Sequence, residues 1–549
     1  MSDLILTLLV VVPLVGALAA AFAGRGDAAL GRTVTLAFAG ATLALGGVLA
    51  LLFDYGASGM QMTVEQTWIG PLGAHFALGV DGLALVMVLL TVVLVPVVLV
   101  AEPRGGAYGA WVLALEAAAI AVFLATDVFL FYVVFEATLI PAYFLVGRYG
   151  GEGRAKAATK FLVYQLAGGL VMLMSVIGLY VVSAQAGPAS YLLGDLTEVT
   201  TSSVAVETGR WLFLGFFVAF AVKAPLFPVH TWLADTTQSA TPGTSVLLIC
   251  ILDKIGTYGM IRFCLGLFPE ASVWATPVVV TLALVSIVYG ALLAIGQDDL
   301  LRLVGLTSLS HFGFIVLGIF VLTEQGHTGA ILYMVNHGLA TAALFLAAGY
   351  AIRRSGTASI RAMGGMEKAA PVLAGLFLVA GMATLGLPGL SPFVSEFLVM
   401  VAAFDYAWYV GAVAVSGIVL AAIYVLWAYQ RVMTGPSVDS PVVGADPGAE
   451  HGAGPASEHA AGGTATATTT ATATATAAAP APRTITDLDR REVGAMVPLV
   501  VALIGFGFFP GPLTQVIETT TTSVLSHVTD NGGPVDDGPT VTADENGER

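Results

Sequence analysis

Charge is what this chain has least of. Only 10% of its 549 residues are Asp, Glu, Lys or Arg, against 57% hydrophobic ones, and a soluble domain with about a quarter charged residues is thereby excluded. The formal net charge of −15 leaves no basic surface for phosphate backbones, so no nucleic-acid partner is expected. Cysteine is scarce too. Cys250 and Cys264 fall in one apolar run, about 21 Å apart along a helix, too far for a disulfide. No cysteine cluster, P-loop or dinucleotide fingerprint is visible, so no redox centre, nucleotide site, metal site or cofactor of the chain's own is expected. The N-terminus lacks the basic stretch of a signal peptide and has Asp3 in its place, so the run from Ser2 to Gly24 reads as a first membrane span.

Long apolar stretches are what the chain does have. Runs of about 20 residues suffice to cross a bilayer, and they recur at 2–24, 30–52, 81–101, 109–126, 128–147, 159–183, 210–233, 242–265, 273–296, 301–322, 328–352, 371–401, 407–431 and 493–516. The expected fold is an all-α integral membrane protein of about fourteen transmembrane helices. Its expected organisation is helices 1–3 over 1–108, a five-helix repeat over 109–265, a second, inverted one over 266–432, a linker over 433–491, the last span over 492–516 and an acidic tail over 517–549. Most of the 21 Lys and Arg residues fall in alternate loops, at Arg25, Arg32, Arg104, Arg148, Arg154, Lys156, Lys160, Arg302, Arg353, Arg354, Arg361 and Lys368. Acids occupy the others, and the positive-inside rule then predicts both termini outside. The 433–491 stretch is dominated by Ala, Thr, Gly and Pro and is read as a disordered cytoplasmic linker.

Few ionisable residues lie inside the spans, and each is a functional candidate because charge is expensive there. Lys223 opens the stretch KAPLFPVHTWLAD and Lys254 lies in LDKIGTYGMIR, both within apolar runs. Pro225 and Pro228 would leave the carbonyls of Ala221 and Ala224 without helical partners, so the helix is expected to break beside its lysine. Glu136, near the middle of the fifth span, is positioned to pair with Lys223 so that each holds the other charged. His311 and His337 sit in consecutive spans and suit a proton relay, since imidazole titrates near neutral pH. Glu396 follows a second proline-interrupted stretch, LPGLSPFVSEF. Two broken helices five spans apart are what an inverted five-helix repeat produces.

These residues carry a family likeness. The stretches KAPLFPVHTWLAD, LDKIGTYGMIR, QDDLLRLVGLTSLSHFGF, NHGLATAALF and LPGLSPFVSEF resemble the antiporter-like, proton-conducting subunits of respiratory complex I, the bacterial NADH–quinone oxidoreductase. Among these the M type is favoured by glutamate at 396, where the sister L and N types and the cation/proton antiporter subunits usually carry lysine. The resemblance implies a proton path through Glu136, Lys223, Lys254, His311, His337 and Glu396. It implies a multi-pass protein of the bacterial inner membrane, partnered by the L, N and other membrane subunits in the lipid bilayer. Flavin, iron–sulfur clusters and quinone would belong to partner subunits. The chain departs from the pattern at Trp232–Thr237, which lacks the family's proline and histidine, and at Leu301, where lysine is common. The competing expectations are a subunit of a multisubunit sodium/proton antiporter and a non-transporting membrane scaffold.

Overall fold

The computed structural model describes residues 2–435 and 485–532. The chain begins with α1 (Ser2–Gly26) and α2 (Ala28–Leu52), separated by Asp27, whose carboxylate accepts from Ala29 N at 2.8 Å and caps the second helix. An antiparallel hairpin of β1 (Gln61–Ile69) and β2 (Ala74–Val80) follows, the one exception to the all-α expectation among the described residues. Its alternating, β-branched sequence was hidden by lying in an inter-span loop. Asp127 ties the hairpin to the bundle, accepting from the backbone N–H groups of His75 and Leu130, both at 2.8 Å.

The next helices are α3 (Gly82–Ala101), α4 (Gly106–Leu124), α5 (Val128–Tyr149, interrupted at Thr138), α6 (Arg154–Ala186) and a short α7 (Leu193–Ser202). Then come α8 (Val206–Lys223), α9 (Thr231–Ser239), α10 (Pro242–Leu265), α11 (Pro269–Ile295), α12 (Leu300–Phe320) and α13 (Glu324–Ser355). The described chain closes with α14 (Pro371–Thr384), α15 (Ser391–Tyr406), α16 (Trp408–Met433), α17 (Arg490–Phe508) and α18 (Gly511–Asn531). Twelve described helices are long and apolar enough to cross a bilayer, and α10, α12 and α13 are fully enclosed by their neighbours over their apolar windows. The centre of the bundle is thus where sequence reasoning put the ionisable residues.

The two expected broken helices are broken. α8 stops at Lys223, and Leu226 N bonds to Ala221 O at 3.1 Å, so one of the two carbonyls freed by proline finds a partner five residues on. Val222 O, which loses the Leu226 N–H by this shift, accepts instead from Trp232 Nε1 at 3.1 Å. The break between α14 and α15 closes in the same manner, with Leu387 N on Met382 O at 3.0 Å. Gly386 makes that turn possible by taking φ +75°, a conformation costly for any residue with a Cβ.

Two boundaries differ from expectation. The tail expected from 517 begins inside α18, whose His527 Nε2 lies 2.9 Å from Gly266 O; its Thr-rich sequence gave no apolar run to mark a helix. Most of the 433–491 linker lies outside the described residues, but its end is anchored. The Asp487 carboxylate accepts from Val372 N at 2.8 Å and Leu373 N at 3.1 Å, capping α14, and Arg354 donates to the carbonyls of Thr486 and Asp487. Residues 533–549 likewise lie outside the described residues.

Candidate functional site

α10 is the axis of the site. Its start is fixed by Glu102, a buried carboxylate that accepts from Gly243 N and Thr241 Oγ1, each at 2.8 Å, at the positive end of the helix. Its far end is held by a buried ion pair, Arg262 to Asp81 at 2.7 Å, with Asp81 also capping α3 through Ala84 N. Between these anchors the helix opens into π turns at Leu248–Leu252 and Met260–Leu265. Such widened turns recur at functional sites because they shift side chains out of the ordinary helical register. Lys254 lies between them and is wholly buried.

From Lys254 the polar groups run in a line. Its Nζ is 2.6 Å from His337 Nδ1 of α13 and 4.1 Å from the centre of the Phe312 ring. When the lysine is an ammonium it donates to Nδ1, so the imidazole proton must sit on Nε2, which is buried without a hydrogen-bond partner. The His311 ring of α12 stands 5.2 Å from that of His337, centre to centre and nearly perpendicular. His311 Nε2 in turn lies 3.2 Å from Tyr424 OH of α16. Tyr333, one turn before His337 on α13, has its ring 5.9 Å from His311 and donates its hydroxyl proton to the Glu396 carboxylate of α15. Asn336 Nδ2 holds the two helices in this relation by donating to Ser391 O at 2.9 Å. Four of the six predicted residues, Lys254, His337, His311 and Glu396, therefore fall on one buried line across four helices, which Tyr424 extends to a fifth.

The other two are near one another without pairing. Lys223 is buried at the end of α8, where its Nζ donates to Thr138 Oγ1 at 3.0 Å and sits 3.8 Å from the centre of the Phe135 ring. No ion pair joins Lys223 to Glu136 in this arrangement, against the sequence expectation. The reason is the interruption of α5 at Thr138. There the hydroxyl donates to Phe135 O at 2.7 Å and turns its lone pairs toward the lysine. Glu136, on the preceding turn, lies instead against the α6 backbone, where a side chain on Gly169 would land on its Oε1. Oε1 is buried and has no hydrogen-bond partner.

Several members of the site were beyond sequence reasoning. Thr138, Tyr333 and Tyr424 carry no charge, and hydroxyl groups in apolar spans are common, so nothing separated these three from the rest. Asp253 was visible as a charge, and only the packing shows it to be buried with Oδ2 unpartnered. Glu116 of α4 is equally buried, with both carboxyl oxygens unpartnered. Trp232–Thr237, where the sequence departs from the family pattern, holds an ion cluster: Asp235 binds Lys160 at 2.7 Å and Arg302 at 2.9 Å, joining α9 to α6 and α12.

Comparisons with known proteins bear on the family and the fold. A family model described as "NADH:quinone oxidoreductase/Mrp antiporter, TM" matches residues 125–421. The chain is 42% identical over 567 aligned positions to NADH-quinone oxidoreductase subunit M of Mycobacterium tuberculosis, covering 95% of each. Among solved structures it superposes on a chain of respiratory complex I from Thermus thermophilus with bound NADH. That match has a TM-score of 0.80 and 29% identity, and covers 95% of this chain and 99% of that one. A chain of the Mrp complex from Dietzia sp. DQ12-45-1b shares the fold, with a TM-score of 0.78 at 22% identity and covering 96% of this chain and 99% of that one.

Proposed function

The chain belongs to the NADH:quinone oxidoreductase/Mrp antiporter membrane family, and from that premise we propose that it is the antiporter-like, proton-translocating subunit, of M type, of an NADH–quinone oxidoreductase. Electron transfer from NADH to quinone takes place in partner subunits, which carry the flavin and iron–sulfur clusters. This subunit moves protons. The observation that carries the reading is the buried succession of polar groups from Lys254 through His337 and His311 to Tyr424, Tyr333 and Glu396. A scaffold has no use for it. A charged lysine or carboxylate at bilayer depth costs several kcal/mol, about 2.5–3.5 on insertion scales for lysine, arginine and aspartate, and groups placed there are by default functional.

The line works as a relay because its members exchange protons without large movements. Lys254 as an ammonium donates to His337 Nδ1, and His337 can release its Nε2 proton toward His311. Tyr333 and Tyr424 bracket His311, and Tyr333 reaches Glu396. On the entry side Lys223 rests on Thr138, and Glu136 rests on α6, so the pair is held open. Closing it, by rotating Glu136 toward Lys223, raises the lysine's hold on its proton; opening it lowers that hold. Alternation between open and closed pairs makes the lysine a gate.

Twelve long apolar spans together with the broken pairs α8/α9 and α14/α15 support a count of fourteen crossings. The shared closure of both breaks by an N–H to a carbonyl five residues earlier supports two inverted five-helix repeats, one over 109–265 and one over 266–432. Both termini then lie outside the cell membrane, and the sister subunits L and N are the neighbours. Membranes containing an affinity-tagged chain provide the test. Co-purification with flavin and iron–sulfur subunits, with NADH-driven proton transfer into vesicles, is the expected result. Sodium-dependent proton exchange without flavin would instead identify an antiporter.

A further inference from the structure

We propose that Asp253 carries protons between Lys223 and Lys254, joining the entry pair to the central line. The inference rests on the proton-path reading and adds to it a residue that the path otherwise lacks. Lys223 bonds toward α5 and Lys254 toward α13, and no hydrogen bond connects them. Without an intermediate the two halves are separate.

Placement singles out Asp253. On α10, Gly256 packs directly on the end of α8, where an added Cβ would meet Phe220 O at 2.6 Å and the Ala224 side chain at 2.7 Å. Asp253 is one turn earlier and so shares that face, which looks toward the α8 break at Lys223 and Ala224. Lys254 is next in sequence, about 100° round the helix, and looks the other way to His337. Asp253 is within electrostatic range of both lysines. It is 2% exposed, its Oδ2 has no partner, and it follows directly on the π turn Leu248–Leu252, whose widened register sets its direction. A buried carboxyl oxygen left without a hydrogen bond is costly, and a role in proton exchange is one reason for a protein to carry that cost.

The steps balance. The Lys223 ammonium gives a proton to the Asp253 carboxylate, leaving an amine and a carboxylic acid. The acid then passes that proton to the Lys254 amine, which becomes an ammonium, and Asp253 is a carboxylate again. Spans longer than one hydrogen bond are covered by a bridging water between the same groups. The intervening acid also offsets the repulsion of two ammonium groups in the dry centre of the bundle.

The test uses the assembled complex in membrane vesicles. D253N keeps shape and polarity but cannot accept a proton, and NADH-driven proton transfer should fall by about a hundredfold or more, in the range that loss of a proton-transfer group produces. D253E should recover most of it. The redox-induced infrared difference spectrum of the native complex should contain a carboxylic-acid C=O band that moves in D253E, a change that a merely structural role would not produce. K223A is run in parallel. Native pumping in D253N with none in K223A overturns the Asp253 link and leaves the path standing; native pumping in both removes the path and the link with it. Should D253N fail to assemble, an infrared band that stays put in assembled D253E overturns the proposal.

Discussion

Gly169→Ala is the substitution most closely tied to the geometry. Glu136 rests against the α6 backbone at Gly169, and a methyl group there would occupy the position of its Oε1. Overpacking of this kind costs about 1–3 kcal/mol, so the resting position of Glu136 should lose occupancy by about 5–150-fold. Displaced from α6, the carboxylate has Lys223 as its natural partner, and a permanently closed pair stops the alternation that makes the lysine a gate. NADH-driven proton transfer in vesicles should therefore fall by a similar factor while the complex assembles. Gly168→Ala is the matched control. Its Cβ would meet Ala219 and Val222 of α8 at 3.3 Å, a tight contact between helices that does not touch Glu136. Equal rates in the two variants, or native pumping in Gly169→Ala, would refute the argument that the open pair matters.

At the other end of the line, Glu396→Gln should impair turnover strongly, and Tyr333→Phe should impair it less, since it removes only the hydroxyl that donates to the carboxylate; quinone reduction and pumping measured together check both. Glu396→Lys should recover part of the loss, as the lysine of sister subunits implies. Asp81→Asn leaves Arg262 buried without its counter-charge, which costs about 3–5 kcal/mol and should appear as a lower yield of assembled subunit, whereas Asp81→Leu combined with Arg262→Met should recover part of it. Outside the spans, the Ser359 hydroxyl and then the Arg361 amide hold Asp298 below the usual carboxylate range. The stabilisation is complete above the unfolded value of about 3.9 and is lost as pH falls through the lower folded value. Amide exchange at Arg361 should accelerate only in acid, and Ser359→Ala should move the onset to higher pH.

The fold was legible wherever lipid imposes a rule. Spans follow from apolar length, and the two breaks follow from proline beside Lys223 and before Glu396. The hairpin over 61–80 and the helix over 511–531 were not, because both are half-polar and lie outside the runs that hydropathy detects. For the site, a buried charge advertises itself and its partner does not. All six candidate residues were found by their cost to the membrane, and the structure brings Lys254, His337, His311 and Glu396 into one line. The expected Glu136–Lys223 pair is open in this arrangement for a reason no periodicity carries: the interruption of α5 at Thr138, which hands the lysine a hydroxyl instead.

The proton path itself stands or falls on Lys223. In vesicles containing an assembled Lys223→Ala complex, NADH oxidation should no longer drive proton transfer, and Lys223→Arg should fail as well because a guanidinium does not release its proton at any working pH. Native rates of proton transfer in the assembled alanine variant would contradict the account.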